Sequence, residues 1–230
     1  MNIRLLKIAS MIQSEIGVID VGTDHGYLPA FLAKSGFKAN IIASDINPSP
    51  LQTAINTARE EGIESRIRFL LSDGLDLCPP DEVDCIVVAG MGGDTICGIL
   101  DRAAWCMDSR YQLILQPVTK PEILRYWLAY NGFDFIEDTA VEDNGIIYQI
   151  ISVRFGGGVS LSDAELFIGS YELVRYSDYF MPQLEKLILR FNKAVAGLSM
   201  SNSSEDISRR NFYASVLDQL INVKMRHMDT

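Results

Sequence analysis

At 230 residues and 48% apolar, the chain is long enough to bury a core and has room for one α/β domain plus an appendage. No apolar run approaches membrane-spanning length and the opening Met1-Asn2-Ile3-Arg4 lacks a signal-peptide core, which sets the expectation of a soluble, cytosolic protein. A net charge of −10 argues against an overall basic nucleic-acid-binding surface, and Cys78, Cys85, Cys97 and Cys106, with no Cys-x-x-Cys pair, read as reduced thiols rather than a metal site or a disulfide frame.

The first informative element joins a short β-branched run, Val18, Ile19 and Val21, to a turn containing Gly22 and Gly26, and then to a helical stretch carrying Leu28, Ala30, Phe31, Leu32 and Ala33. The opening of that helix is expected to present free amides to a ligand. A dinucleotide fingerprint, G-x-G-x-x-G, is absent because Thr23 and Asp24 follow Gly22. The acids Asp20 and Asp24 repel a pyrophosphate and suit a cation, and S-adenosylmethionine carries both an ammonium and a sulfonium. An ordinary strand-to-helix turn with a surface aspartate competes with that reading of the loop taken alone.

The following elements repeat the pattern. Ile41, Ile42 and Ala43 lead to Asp45, about twenty residues beyond the turn, where Rossmann-like domains place an acid on the ribose hydroxyls. Asn47-Pro48 breaks the chain before a helical run through Leu51, Ala54, Ile55 and Ala58. Ile67 to Leu71 forms a third strand closed by Asp73 and Gly74, and Val83 to Val88 a fourth that runs into a loop holding Ala89, Gly90, Met91, Gly92, Gly93 and Asp94. No Asn/Asp-Pro-Pro-aromatic motif stands there, which counts against methylation of an exocyclic amine. Leu113 to Pro117 is a fifth strand, Pro121 to Tyr130 a helix capped by Asn131-Gly132, and Phe133–Ile136 and Ile146–Val153 two further strands with a hairpin signal at Asn144-Gly145. The fold class is therefore α/β: a Rossmann-like class I methyltransferase sheet, mostly parallel with an antiparallel edge hairpin, followed by a C-terminal α-helical hairpin.

Gly156, Gly157 and Gly158 mark a domain boundary, giving residues 1–157 as a cofactor-binding domain and 158–230 as a helical one. From Ser162 the apolar spacing is helical through Leu166, Phe167, Tyr171, Leu184, Leu187, Ile188 and Phe191, with Pro182 kinking or restarting the helix. After a Ser/Asn turn a second stretch carries Ile207, Phe212, Val216, Leu217, Leu220 and Val223. The charge divides unevenly: residues 1–157 hold 12 basic and 21 acidic side chains, whereas the rest is nearly neutral. Arg190, Lys193, Arg209, Arg210, Lys224 and Arg226 are thus the better candidates for phosphate contact, with Arg4 and Lys7 as an added patch near the cofactor mouth. A solvated helix surface, or an oligomer contact, is an equal alternative for the tail.

Several stretches together resemble the bacterial TrmK family of tRNA adenine-N1 methyltransferases: Arg4 to Ala9, Asp20 to Pro29, Asp73-Gly74-Leu75, Ala89 to Gly93, Leu113 to Pro117, and Tyr126-Trp127-Leu128 with Tyr148. The resemblance implies transfer of a methyl group from S-adenosylmethionine to the N1 nitrogen of adenine at position 22 of tRNA, and a coiled-coil-like extension that helps to grip the tRNA. The cofactor is expected on Asp20, Gly22, Thr23, Gly26, Asp45, Ile46, Asp73, Gly74, Ala89, Gly90 and Met91, and tRNA on Arg4, Lys7, Gly92, Gly93, Arg190, Lys193, Arg209 and Arg210. Asp24 is assigned to stabilise the charge that develops on the methylated base, with His25, Tyr27 and Asp94 positioning or stacking on it. His25 has no metal-ligand set around it, since the second histidine is His227, so no metal is expected; Trp127, inside an apolar helix, is expected in the core. A monomer or a weak dimer both fit. Two alternatives stay open: a small-molecule methyltransferase of the same fold, favoured by the acidic first domain, and a non-catalytic Rossmann-like interaction module.

Overall fold

The computed structural model describes residues 2–229, and the chain divides into two units, Met1–Val159 and Ser160–Thr230. The first unit contains, in chain order, α1 (Ile3–Met11), β1 (Gly17–Val21), α2 (Tyr27–Lys34), β2 (Asn40–Asp45), α3 (Pro48–Glu60), β3 (Arg68–Leu71), β4 (Cys85–Gly92), α4 (Gly93–Arg102), β5 (Gln112–Thr119), α5 (Pro121–Tyr130), β6 (Phe133–Asp143) and β7 (Ile146–Phe155). One seven-stranded sheet has the order β3-β2-β1-β4-β5-β7-β6. The first five strands pair in parallel, and β7 pairs antiparallel with both β5 and β6.

Alternation along the central strands decides which helix covers which face. Ile19, Ile86, Val88, Leu113 and Leu115 point into one layer with Ile96 and Leu100 of α4 and Leu124 and Leu128 of α5. Their neighbours Val18, Cys85, Val87 and Ile114 point the other way, against Ile8 of α1, Leu28 and Leu32 of α2 and Ala58 of α3. Both faces being covered, β1 is buried at every position. All four cysteines are free and buried in these layers, and burial pushes the Cys78 and Cys97 thiols up to about 12.

Three local features depart from the sequence pattern. The glycine stretch after Val88 is not a loop: β4 continues to Gly92, with register shifts against β5 around Met91. Gly90, at φ +81°, allows this bulge, and Pro117 of β5, which has no amide hydrogen to give, is the partner of Met91 there. Strand β6 runs to Asp143, well past Ile136, because β7 supplies a partner along its whole length. Asn144 at φ +53° and Gly145 at φ +78° close that hairpin with the backbone a two-residue turn needs.

In the second unit the helical periodicity resolves into α6 (Asp163–Ile168), α7 (Tyr171–Val174), α8 (Phe180–Gly197) and α9 (Ser204–Met228). A Ser162/Glu165 capping box starts α6, and Gly169 at φ +104° ends it, so the run through Phe191 is not one helix. Pro182 sits in the first turn of α8, where its missing amide costs nothing. Helices α8 and α9 are antiparallel: Phe180 meets His227, Glu185 meets Lys224, and Phe191 meets Tyr213. Phe167, Leu184, Phe191, Val216 and Leu220 form their shared core.

The most buried charges of the first unit are Arg125 of α5 and Asp138 of β6, at 0% and 1% side-chain exposure, joined by two hydrogen bonds of 2.9 and 2.8 Å. Arg125→Met leaves the Asp138 carboxylate buried without its main partner and should destabilise the protein by about 3–5 kcal/mol. Urea denaturation should return much of that loss in the double variant Arg125→Met/Asp138→Leu, because no lone charge is then left inside.

Candidate functional site

Parallel pairing brings the carboxyl ends of β1, β2, β3 and β4 to one edge of the sheet, where Val21 aligns with Ser44 and with Val88, and Asp45 with Leu71. A cavity of 740 Å³ opens there. Its wall contains Asp20, Gly22, Thr23, Asp24, His25 and Tyr27 from the first turn, Asp45 and Ile46 from the second, Asp73 and Gly74 from the third, and Ala89, Gly90 and Met91 from the fourth, together with Arg4 of α1. Sequence-distant segments thus meet at one place.

Three amides of the first turn, before α2 begins, are engaged within the protein. The Gly22 and Thr23 amides donate to the Ser44 carbonyl at 2.8 and 2.9 Å, and the Gly26 amide donates to the Thr23 carbonyl. The start of the loop is therefore tied to β2, and the end of β1 and the loop bring the carboxylates of Asp20 and Asp24 to the cavity wall. Asp20 is the most constrained of them: burial pushes its carboxyl up to about 6, opposed by a 2.7 Å hydrogen bond from the Thr23 hydroxyl and by the charge of Arg4. A buried anion in this position favours a cationic guest, and a ligand bearing an ammonium and a sulfonium fits that demand where a pyrophosphate does not.

The remaining wall residues have distinct surroundings. Asp45 accepts a 2.9 Å hydrogen bond from the Asn47 amide, which fixes its carboxylate at the start of α3. Asp73 is paired with Arg102 of α4 at 2.8 Å, and Arg102 also reaches Asp76. Arg102 lines the cavity and carries no sequence motif; its position on α4 is what places it there. Asp24 adopts a left-handed backbone, φ +53°, and stands 3.6 Å from the His25 ring nitrogen. The His25 ring stacks on Tyr27 at 5.2 Å with 16° between planes, and Tyr27 is 53% exposed, so the pair forms a flat aromatic surface beside the cavity.

Other sequence candidates lie elsewhere. Gly26 is outside the cavity wall, packed on α3, where an added Cβ would stand 2.8 Å from the Ala54 Cβ. Gly92, Gly93 and Asp94 also fall outside it; Asp94 is bonded to Lys120 at 2.7 Å, whose ammonium holds the carboxyl below the usual range. Lys7 is ion-paired with Glu137, which removes its charge from any phosphate. Trp127 packs against the core and donates a 2.8 Å bond to Asp101. In the second unit Arg209 pairs with Glu205, Arg210 caps the Ser199 carbonyl, Lys224 pairs with Glu185 and Arg226 with Glu172. Arg190 lies over the rings of Phe167 and Phe191, and Lys193 is exposed with no carboxylate partner among the described residues. The described residues contain no group of three or more His, Cys, Asp or Glu able to hold a metal ion, and no helix long and apolar enough to cross a membrane.

The sheet order, the acid-tipped strands and the cavity at their carboxyl edge define a Rossmann-like methyltransferase domain, and a family profile described as a methyltransferase domain matches residues 1–151. The chain is 30% identical over 174 residues to the tRNA (adenine(22)-N(1))-methyltransferase of Bacillus subtilis, covering 73% of each. Its fold matches the crystal structure of the Bacillus subtilis m1A22 tRNA methyltransferase TrmK, TM-score 0.87 at 24% identity over 97% of this chain and 98% of that one. It also matches Streptococcus pneumoniae Sp1610, whose proposed activity is tRNA (m1A22) methylation, in a complex with S-adenosylmethionine, TM-score 0.80 at 27% identity over 96% and 97%. The chain belongs to the TrmK family of tRNA methyltransferases.

The turn geometry predicts a graded response to glycine replacement. Gly26→Ala meets both a left-handed backbone, φ +70°, and the Ala54 side chain, and should cost about 2–4 kcal/mol. Gly36→Ala, also at positive φ but with open space around it, should cost only about 1–2 kcal/mol. Denaturant midpoints of the two variants measure the difference.

Proposed function

We propose that this chain transfers a methyl group from S-adenosylmethionine to the N1 nitrogen of adenine at position 22 of tRNA. The observation that carries the reading is the acid-lined cavity at the sheet edge, with Asp20 buried in its wall, in a chain of the TrmK family. In this reading Asp20 faces the cationic amino-acid end of the methyl donor, Asp45 the ribose hydroxyls, and Asp73 the adenine end. S-adenosylmethionine supplies an electrophilic methyl group on a sulfonium.

The protein's own part is alignment and charge. Adenine N1 has an in-plane lone pair, so no side chain has to remove a proton before transfer, and the reaction needs no general base. Positive charge grows on the base as the methyl arrives, and the Asp24 carboxylate at the cavity mouth compensates it. The stacked His25–Tyr27 surface holds the base flat against the mouth, which supplies the orientation an in-line displacement requires. Contact with tRNA phosphates falls to Arg190, Lys193 and Arg210, whose charges are not neutralised by a neighbouring carboxylate among the described residues; Arg209 is already engaged within α9.

Incubation with labelled S-adenosylmethionine and bulk bacterial tRNA, followed by nucleoside mass analysis, should give 1-methyladenosine; no label in RNA would remove the assignment. Asp24→Ala should lower kcat by about 10–100-fold, below the roughly 100–1,000-fold typical of a buried electrostatic stabiliser because Asp24 is exposed, while S-adenosylhomocysteine binds as to the wild type. The Asp20 carboxyl, raised to about 6 in the free protein, must be ionised to receive a cation. Cofactor affinity should therefore be flat above pH 6 and fall below it, by at most about tenfold per pH unit. Calorimetric titrations at pH 5, 6 and 7.5 check this, and Asp20→Asn should flatten the profile.

A further inference from the structure

A second hollow begins at the mouth of the first. A groove of 370 Å³ lies between α2 and α3, and its wall contains Tyr27, Phe31 and Lys34 of α2, Ser35 just beyond that helix, Thr57 of α3 and Glu61 at its C-terminal cap. That volume falls within the range of small-ligand clefts, roughly 300–1,000 Å³. Tyr27, Phe31 and Lys34 stand at i, i+4 and i+7, on one face of α2, over roughly 10 Å at 1.5 Å per residue. Tyr27 also lines the cavity at the sheet edge, so the two hollows share a wall.

The polar groups of the groove define what it can take. Lys34 and Glu61 meet across the two helices at 2.5 Å, with side chains 56% and 37% exposed. The pair is neutral as a whole and favours neither a phosphate nor a cation. An exposed pair contributes little to stability, so it can open around a guest and offer it one donor and one acceptor. The Ser35 and Thr57 hydroxyls already donate to the Leu32 and Thr53 carbonyls at 3.0 and 3.1 Å, and their oxygens keep lone pairs as further acceptors. Phe31 is half-buried and gives the groove an aromatic wall beside Tyr27. The complement of this set is flat, uncharged, apolar on its faces and amine-bearing at its edge, which describes adenine, cytosine or guanine and not uracil.

RNA supplies such a guest next to the mouth. The nucleotide joined to the target adenine is tethered within reach of Tyr27, and the tether raises its local concentration enough for a shallow groove to hold it. Unstacked RNA bases are bound in this way, by aromatic faces and by hydrogen bonds to their edges.

We propose that the α2–α3 groove receives the nucleotide adjoining the target adenine, with Phe31 against its base and Glu61 accepting from its exocyclic amine. The acidic first unit then holds RNA through a base rather than through phosphates. The inference rests on tRNA being the methyl acceptor.

Steady-state methylation of tRNA transcripts tests it. The double variant Lys34→Ala/Glu61→Ala, which leaves the net charge unchanged, and Phe31→Leu should each raise the KM for tRNA by roughly 3–10-fold, the low end for a stacked base because the groove is open. Both should keep kcat and S-adenosylhomocysteine affinity within about twofold of the wild type. The double variant alters exposed side chains alone and keeps the test open if Phe31→Leu does not fold. Transcripts with uridine 5′ or 3′ of the target, any pairing partner replaced in step, should lower kcat/KM of the wild type by roughly 3–10-fold at one of the two positions. The double variant should lose less than about twofold there, since the contact is already gone. The groove assignment is overturned if both variants keep the wild-type KM for tRNA, which leaves the groove to another occupant such as a protein segment, or if uridine penalises the wild type and the double variant equally. Weakened S-adenosylhomocysteine binding in both variants overturns it too, because the residues then act through the fold. A wild-type chain that methylates no tRNA overturns the functional assignment together with the groove, whereas wild-type methylation that neither variant alters overturns the groove alone.

Discussion

A carboxylate buried at the end of a central strand is costly, and much of the functional edge is arranged around that cost. Asp20 sits on β1, between β2 and β4, so the sheet itself removes it from water. The Thr23 hydroxyl and the Arg4 charge offset part of the desolvation. The rest remains as a carboxyl whose ionisation a cationic ligand would favour. Neutral pH keeps it charged, so the free protein holds an anion that binding can neutralise.

The same demand explains why remote elements converge on the cavity. α1 is short, and only Ile8 and Met11 on it are buried, yet it carries Arg4 to the mouth. Gln116 anchors that arginine from β5 and accepts the Gly90 amide on the same oxygen. The β4 bulge is thus part of the site's construction, because a regular strand would not turn the Gly90 amide toward Gln116.

Charge is divided between the two units in a way that suits a small cationic donor and a large polyanionic acceptor. The first unit is acidic and gathers its acids at the strand tips. The second is nearly neutral: Arg175, Arg209, Lys224 and Arg226 are paired with acids on the same unit, whereas Lys186, Arg190, Lys193 and Arg210 have no carboxylate partner among the described residues.

Periodicity and turn chemistry made the elements legible in the sequence. β-branched runs ending in Asp20, Asp45 and the Asp73 turn mark strands whose tips share an edge once they pair in parallel, and Asn144-Gly145 fixes the hairpin because few other residues accept its backbone. The family resemblance supplied the acceptor atom, which no spacing encodes. Tertiary structure alone decided the rest. It turned the glycines after Val88 into a bulged strand, bonded the Gly22 and Thr23 amides to β2, engaged Lys7 with Glu137 and Asp94 with Lys120, and brought Arg102 to the cavity. These depend on contacts between residues far apart in the chain, where a side chain's partner is set by packing, and local sequence carries no record of which distant group will neutralise a charge or bury an amide.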